Sequence, residues 1–213
     1  MVMTMAGETT LFYRTLRVIS ALPRRYFRFR VEGAEHVPAA GPCVLAANHA
    51  SYLDPIVLAM ACPRPVKFIV DREQYQRPFV HWVAARTGAI PVENDPRDLG
   101  SLRRALLALR QGAVLGIFPE GGRSDDGRLK PAKPGAALLA LRAGVPLVPA
   151  GIDGAYRAYS RHHRLPRRSP ITVRFGPPLP FPSSWLHHAA KGHLEEAIAL
   201  TMGRIRTLAG LGD

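Results

Sequence analysis

The sequence predicts an α/β fold: a largely parallel central sheet covered by helices on both faces, with an N-terminal amphipathic helix. Three observations predict it. Short β-rich apolar runs alternate with helical patterns, as they do when parallel strands are joined by crossover helices. The runs are apolar almost throughout rather than alternating, which is how strands buried on both faces read. With 213 residues, 47% of them hydrophobic, the chain can fill one well-buried domain and is too short for two ample ones.

Taken in order, residues 10–22 set Leu11, Phe12, Thr15, Leu16, Val18, Ile19 and Leu22 along one broad side, with Arg14 and Arg17 off it. That is an amphipathic helix. Strand-like runs follow at residues 27–31, 44–47, 66–70, 89–92, 114–118, 147–152 and 171–175, rich in the branched side chains that strands favour. Helical patterns lie between them at 52–61, 74–87, 98–111, 134–143 and 186–208. In the clearest, Leu99, Leu102, Leu106 and Leu109 form one face and Gly112 supplies the stop. The proline-rich stretches 166–170 and 177–182 read as loops around a late strand.

The formal net charge is +13, so the surface attracts anions: nucleic acid, anionic lipid head groups or phosphorylated substrates. Basic residues gather at Arg24, Arg25, Arg28 and Arg30, and again at Arg157, Arg161, His162, His163, Arg164, Arg167 and Arg168. No nucleic-acid module is recognisable and aromatics are not interleaved with these runs, which favours anionic lipid over nucleic acid. The two cysteines, Cys43 and Cys62, have neither metal nor redox spacing, and the pairs His162-His163 and His187-His188 lack partners at metal-ligand spacing. Buried thiols and no metal are expected. No window approaches the roughly 18 consecutive apolar residues of a spanning helix, and no cleavable signal pattern is present. The expected setting is therefore the cytoplasmic face of a membrane, peripheral or monotopic, with no transmembrane span. Residues 1–30 would be the amphipathic, basic contact segment, the alternative being a first helix packed on the core; residues 31–213 would be a single domain.

Two clusters carry chemistry. In Asn48-His49-Ala50-Ser51-Tyr52-Leu53-Asp54 a possible general base and a carboxylate share one short turn. A neutral imidazole can take a proton from a hydroxyl, and a carboxylate on its other nitrogen fixes the tautomer and stabilises the imidazolium. No serine or cysteine nucleophile is needed. Further on, Phe118-Pro119-Glu120-Gly121-Gly122-Arg123-Ser124 is a strand end running into a glycine turn, exposing backbone N–H groups and a guanidinium fork suited to phosphate. Both clusters follow predicted strands, where ligands of open α/β sheets lie.

These residues resemble the glycerolipid acyltransferases typified by 1-acylglycerol-3-phosphate (lysophosphatidic acid) acyltransferase. The first block of that family is met by Asn48, His49, Ser51 and Asp54, and the third by residues 118–124. Gly88-Ala89-Ile90-Pro91-Val92 is similar to the second block and Val145-Pro146-Leu147-Val148-Pro149 to the fourth, with Lys133-Pro134-Gly135 between the third and fourth. Asn94 stands where the second block usually carries an arginine; Arg97, Lys67 and Arg72 are the candidates to replace it. Gly122 replaces a common threonine, and Val70-Asp71-Arg72-Glu73 stands where lysines are more usual.

The resemblance implies transfer of a fatty acyl group from an acyl thioester, acyl-CoA or acyl carrier protein, to the free hydroxyl of 1-acylglycerol-3-phosphate, giving phosphatidic acid. His49 is then the base and Asp54 its orienter. Glu120 and Arg123, with Gly121 and Ser124 in the turn, hold the glycerol phosphate, and Pro149 with residues 145–148 shapes the acyl side. No cofactor is implied beyond the thioester co-substrate, and the partners are the donor, the lysophospholipid acceptor and an anionic membrane surface. Two alternatives stand beside this reading: an acyltransferase for another lysophospholipid, a glycolipid or an amine, and a non-catalytic membrane-peripheral lipid-binding protein.

Overall fold

A computed structural model of the chain describes residues 21–93, 99–186 and 191–212. The helix expected over residues 10–22, apart from its last two residues, and the candidate Arg97 lie outside them, as does Asn94.

Seven strands form one sheet: β1 (Arg30–Glu32), β2 (Cys43–Ala47), β3 (Val66–Asp71), β4 (Ile90–Val92), β5 (Val114–Ile117), β6 (Leu147–Asp153) and β7 (Thr172–Phe175), in the order β1-β7-β6-β2-β5-β3-β4. Every neighbouring pair is parallel except β6 and β7, which run antiparallel. The predicted, largely parallel α/β sheet is what forms.

Helices α1 (Ala21–Tyr26), α2 (Asp54–Ala61), α3 (Arg72–Tyr75), α4 (Pro78–Thr87), α5 (Leu99–Arg110), α6 (Gly135–Ala143), α7 (Ala155–Tyr159) and α8 (Lys191–Leu208) connect or follow the strands. Val57 and Leu58 of α2 pack with Leu45, Ala47, Phe68 and Val148 on one face of the sheet. Ala105 and Leu109 of α5, Leu139 of α6 and Ile205 of α8 pack with Val44, Ala46, Leu115 and Leu147 on the other. The period-two alternation of β2 thus feeds both layers, and all five of its residues are buried.

Several boundaries differ from the sequence reading for local reasons. The helix expected over 74–87 is two helices, because Arg77 precedes Pro78 and is held extended at φ −68°, ψ 130°. The Asp71 side chain caps the first of them by accepting from Glu73 N at 2.9 Å. The strand expected from residue 27 begins at Arg30, since the chain is still leaving α1 and Arg28 takes a left-handed φ of 44°. The stripe expected on α5 holds for Leu102, Leu106 and Leu109, which pack into the core beside Ala105 and Ala108, whereas Leu99, at the first turn, is 59% exposed. Small side chains occupy the buried face because α6 packs close beside it. Helix α7 was not anticipated, being too short to show a period. Cys43 and Cys62 are buried thiols not joined in a disulfide, and burial pushes Cys43 up to about 11.

The register sets the site. Strands β2 and β5 are neighbours, with Cys43 opposite Val114 and Ala46 opposite Ile117. Their carboxyl ends therefore emerge side by side, delivering His49 and Phe118 to one place. Gly116 of β5 permits the packing beneath, since a Cβ there would lie 2.7 Å from Phe68 Cδ1 and Val66 Cγ1.

Candidate active site

His49 leaves β2 and turns back before α2 begins. Its ring lies over Phe118 with centroids 4.2 Å apart and planes 20° apart, and Phe118 in turn stacks with Phe68 at 5.9 Å. His49 Nδ1 is 2.9 Å from Asp54 Oδ2. The same oxygen accepts from Ala50 N at 2.7 Å and Ser51 N at 2.6 Å. A carboxylate so surrounded by donors is an acceptor, so Nδ1 carries the proton and Nε2 keeps its lone pair. The Asp54 side chain is 1% exposed and that of His49 14%: the carboxylate is sealed in while the imidazole has an opening to the outside.

Neighbouring polar residues hold this turn. Asn48 bridges to β6, accepting from Ile152 N at 2.7 Å and donating to Ile152 O at 2.9 Å. Ser51 Oγ donates to Tyr159 O at 2.6 Å and accepts from Leu53 N at 3.0 Å. Both side chains are committed to backbone groups, which is why two small polar residues can lie buried there.

The second cluster grips the first. Glu120 Oε1 accepts from His49 N at 2.6 Å, and Oε2 accepts from Lys130 N at 2.9 Å. Ser124 N donates to His49 O at 2.8 Å, so both backbone groups of His49 are tied to residues of the glycine turn. Glu120 is 4% exposed. Burial pushes its carboxyl above the ordinary 4.5, opposed by the N–H groups of Lys130 and His49. Gly121, at φ 66°, supplies the left-handed residue this turn requires. Ser124 Oγ donates to Asp126 Oδ1 at 3.0 Å and accepts from Gly127 N at 3.0 Å, closing the turn upon itself.

Arg123 is held differently. Its guanidinium carbon lies 3.8 Å from the centroid of the Tyr52 ring, and its Nε is buried with no hydrogen-bond partner among the described residues. Loss of water lowers the pKa of Arg123; Tyr52 opposes that shift, and the like charges of Arg161 and Arg77 add to it. Such a cation has unused donors and unneutralised charge, the condition of a site awaiting an anion.

The structure therefore brings His49, Asp54, Glu120, Gly121, Arg123 and Ser124 together, with Asn48 and Ser51 behind them. Lys67 and Pro149 sit apart. Lys67 lies on β3, its Cε 3.4 Å from where a Cβ on Gly88 would stand. Pro149 is buried within β6, opposite Ala46, with its carbonyl accepting from Gly176 N at 2.9 Å. Arg72 is paired with Glu93 at 2.9 Å. Sequence reasoning gave no role to Tyr52 or to Phe118 beneath the imidazole; an aromatic inside each motif was the available signal. Among the described residues no group of histidine, cysteine, aspartate and glutamate could hold a metal ion.

A sequence model of the family described as Acyltransferase matches residues 28–153, a span containing every contact of the His49 turn except those to Tyr159. A chloroplastic 1-acyl-sn-glycerol-3-phosphate acyltransferase of Brassica napus is 36% identical over 132 residues, covering 61% of this chain and 38% of that protein. The Bacillus subtilis protein named 1-acyl-sn-glycerol-3-phosphate acyltransferase is 28% identical over 166 residues, covering 78% of this chain and 77% of its own. The chain thus spans under two fifths of the plant relative and over three quarters of the bacterial one. In fold, the crystal structure of the 1-acyl-sn-glycerophosphate (LPA) acyltransferase of Thermotoga maritima superposes with a TM-score of 0.75 at 20% identity, covering 96% of this chain and 83% of that one.

Proposed function

The chain belongs to the acyltransferase family, matched over residues 28–153, and from that premise we propose that it moves a fatty acyl group from an acyl thioester to the free hydroxyl of 1-acylglycerol-3-phosphate, giving phosphatidic acid. The observation that carries this reading is the His49–Asp54 pair at 2.9 Å, tied to a neighbouring turn whose Arg123 has no ion-pair partner among the described residues.

The acceptor hydroxyl approaches His49 Nε2, which takes its proton as the oxygen attacks the thioester carbonyl. Asp54, through Nδ1, holds the ring and stabilises the imidazolium. When the tetrahedral intermediate collapses, the carbon–sulfur bond breaks and the proton returns from His49 to the departing thiolate. No acyl-enzyme is required. Arg123 holds the acceptor phosphate by charge-assisted hydrogen bonds. Glu120 acts one step back: with both oxygens occupied by backbone N–H groups, it fixes the main chain of His49 rather than touching the acceptor. Ser51, Asn48 and Ser124 hold the turns. Lys67, on β3 beside Gly88, and Pro149, buried within β6, are set apart from this cluster and take no part in the step, and Arg97 lies outside the described residues.

The reaction is proposed to run at an anionic membrane surface, met from outside the bilayer. Among the described residues no helix is long and apolar enough to cross a membrane, and the formal charge of +13 suits anionic lipid. The decisive experiment incubates the purified protein with lysophosphatidate, other lysolipids and glycolipid or amine acceptors, using acyl-CoA and acyl carrier protein thioesters in parallel, and identifies products by mass spectrometry. Phosphatidic acid is expected from wild type and none above background from His49→Ala. Product only from a phosphate-free acceptor, or from none, would overturn the assignment.

A further inference from the structure

Resting on the reading of Arg123 as the holder of the acceptor phosphate, we infer that Tyr52 is a positioning residue for phosphate recognition, setting the Arg123 guanidinium through the face of its ring. Among the described residues no carboxylate forms an ion pair with Arg123. Asp54 Oδ2 already accepts from the His49 ring and from Ala50 N and Ser51 N. Asp125 is paired with Arg161, and Asp126 accepts from Ser124 Oγ and Arg128 N. Arg161 donates to the Arg123 carbonyl at 3.4 Å, which leaves the guanidinium itself untouched. What remains against that guanidinium is the Tyr52 ring, 3.8 Å from its central carbon.

The choice of an aromatic face has a chemical consequence. A carboxylate would orient Arg123 but consume its in-plane donors and cancel its charge. A ring face attracts the cation through the quadrupole while leaving the edge N–H groups and the full charge for a phosphate. Burial and the like charges of Arg161 and Arg77 all act against the cation here, so an attractive ring face counts for more than it would in water.

Tyr52 is fixed well enough for this task. Its N–H donates to Tyr159 O at 3.3 Å, its ring lies 5.3 Å from that of Tyr159, and the adjacent Ser51 is tied to the same carbonyl at 2.6 Å. Because Tyr52 lies between His49 and Asp54 in sequence, the turn that carries the proposed base also sets the phosphate cation. The spacing between the reacting hydroxyl and the phosphate is thereby built into one short segment.

The test uses the purified full chain with Tyr52→Leu and Tyr52→Phe. Tyr52 is 38% exposed, so thermal midpoints close to wild type are expected. At saturating acyl-CoA, Tyr52→Leu should raise KM for lysophosphatidate roughly 5- to 30-fold, the range a half-buried cation–π contact supports. The kcat and the donor KM should stay within about twofold, and Tyr52→Phe, which keeps the ring, should behave as wild type. Calorimetric titration with glycerol 3-phosphate reads the same arginine without turnover and should be weakened in parallel by Tyr52→Leu alone. An unchanged acceptor KM and unchanged glycerol 3-phosphate binding in Tyr52→Leu would overturn the inference, as would equal impairment of Tyr52→Phe. Wild type that binds glycerol 3-phosphate in a Tyr52-dependent way yet transfers no acyl group would instead sink the proposed reaction and leave the role of Tyr52 standing.

Discussion

The backbone N–H of His49 donates to Glu120 Oε1 at 2.6 Å, and this one bond makes the two motifs a single device. Glu120 serves by accepting twice, from His49 N and from Lys130 N at 2.9 Å, a task that needs an ionised carboxylate. An amide offers one acceptor and turns an NH₂ group toward the other donor. Glu120→Gln should therefore leave one buried N–H unpaired, at about 1–3 kcal/mol in stability, and lower kcat by misplacing His49. Chemical denaturation alongside initial rates checks both; full activity in a fully stable variant would remove Glu120 from this role.

The same residue gives a pH dependence of definite sign. Burial raises the folded-state pKa of Glu120 above the ordinary 4.5, so the folded state holds the proton more tightly than the unfolded one. That contribution to stability is fully present below about 4.5 and is lost as pH rises through the raised value. The unfolding free energy of wild type relative to Glu120→Gln should accordingly fall as pH increases through that window. Activity should move the opposite way, because the clamp on His49 requires the ionised form. A difference in stability that rises with pH would contradict the burial argument.

At the proposed base, His49→Ala should reduce kcat on the order of 10²–10⁴-fold while the fold survives. Asp54→Asn should be comparably inactive and also less stable. Its amide oxygen is an uncharged, weaker acceptor for the three donors, Ala50 N, Ser51 N and the imidazole, that share one carboxylate oxygen, and an amide can turn His49 to the wrong tautomer. Circular dichroism separates the two effects. Near-normal transfer by His49→Ala, with acyl-CoA as donor, would remove it from the chemistry.

The sheet and both motifs were legible because they rest on local patterns: five consecutive buried residues in β2, and glycine and proline at turns. Less legible was the direction in which polar side chains point. Glu120 reads as a ligand for substrate, yet its partners are His49 N and a backbone N–H from Lys130, ten residues along. Asn48 and Ser51 likewise satisfy Ile152 and Tyr159, more than a hundred residues away. No spacing rule encodes such pairings, because only the parallel register of β2 with β5 and β6 brings those backbones to the site. The break before Pro78 was readable from the residue-before-proline rule alone.

Packing under the imidazole sets another expectation. Phe118 supports His49 and is itself stacked with Phe68, whose ring passes over Gly116 in β5. A Cβ on Gly116 would stand 2.7 Å from Phe68 Cδ1 and Val66 Cγ1, and neither can retreat in a buried sheet layer. Gly116→Ala should cost about 1–3 kcal/mol by overpacking and should lower kcat more than acceptor KM, since the disturbance reaches His49 before Arg123. Thermal melts with steady-state kinetics decide it; a neutral Gly116→Ala would mean that the Phe68 ring is free to move.

The proposed membrane contact makes a prediction from charge and exposure together. No aspartate or glutamate occurs between Glu8 and Glu32 or between Asp153 and Glu195. The structure joins these two stretches: Tyr26 OH donates to Pro166 O at 3.3 Å, and Arg30 N to Ile171 O at 2.9 Å. Each also presents a leucine to the outside, Leu22 at 79% and Leu165 at 76% exposure. Arginines draw in anionic head groups from a distance set by the Debye length, about 8 Å at physiological ionic strength, whereas protruding leucines gain only on contact with the acyl boundary. Sedimentation with vesicles should therefore show binding to anionic but not to zwitterionic lipid, weakened by salt. Leu165→Asp should reduce that binding while leaving transfer to a short-chain, water-soluble acceptor unchanged, because the substitution touches none of the residues around His49. Equal binding to both vesicle types, or equal loss of transfer to soluble and bilayer acceptors, would mean that this surface does not meet the membrane.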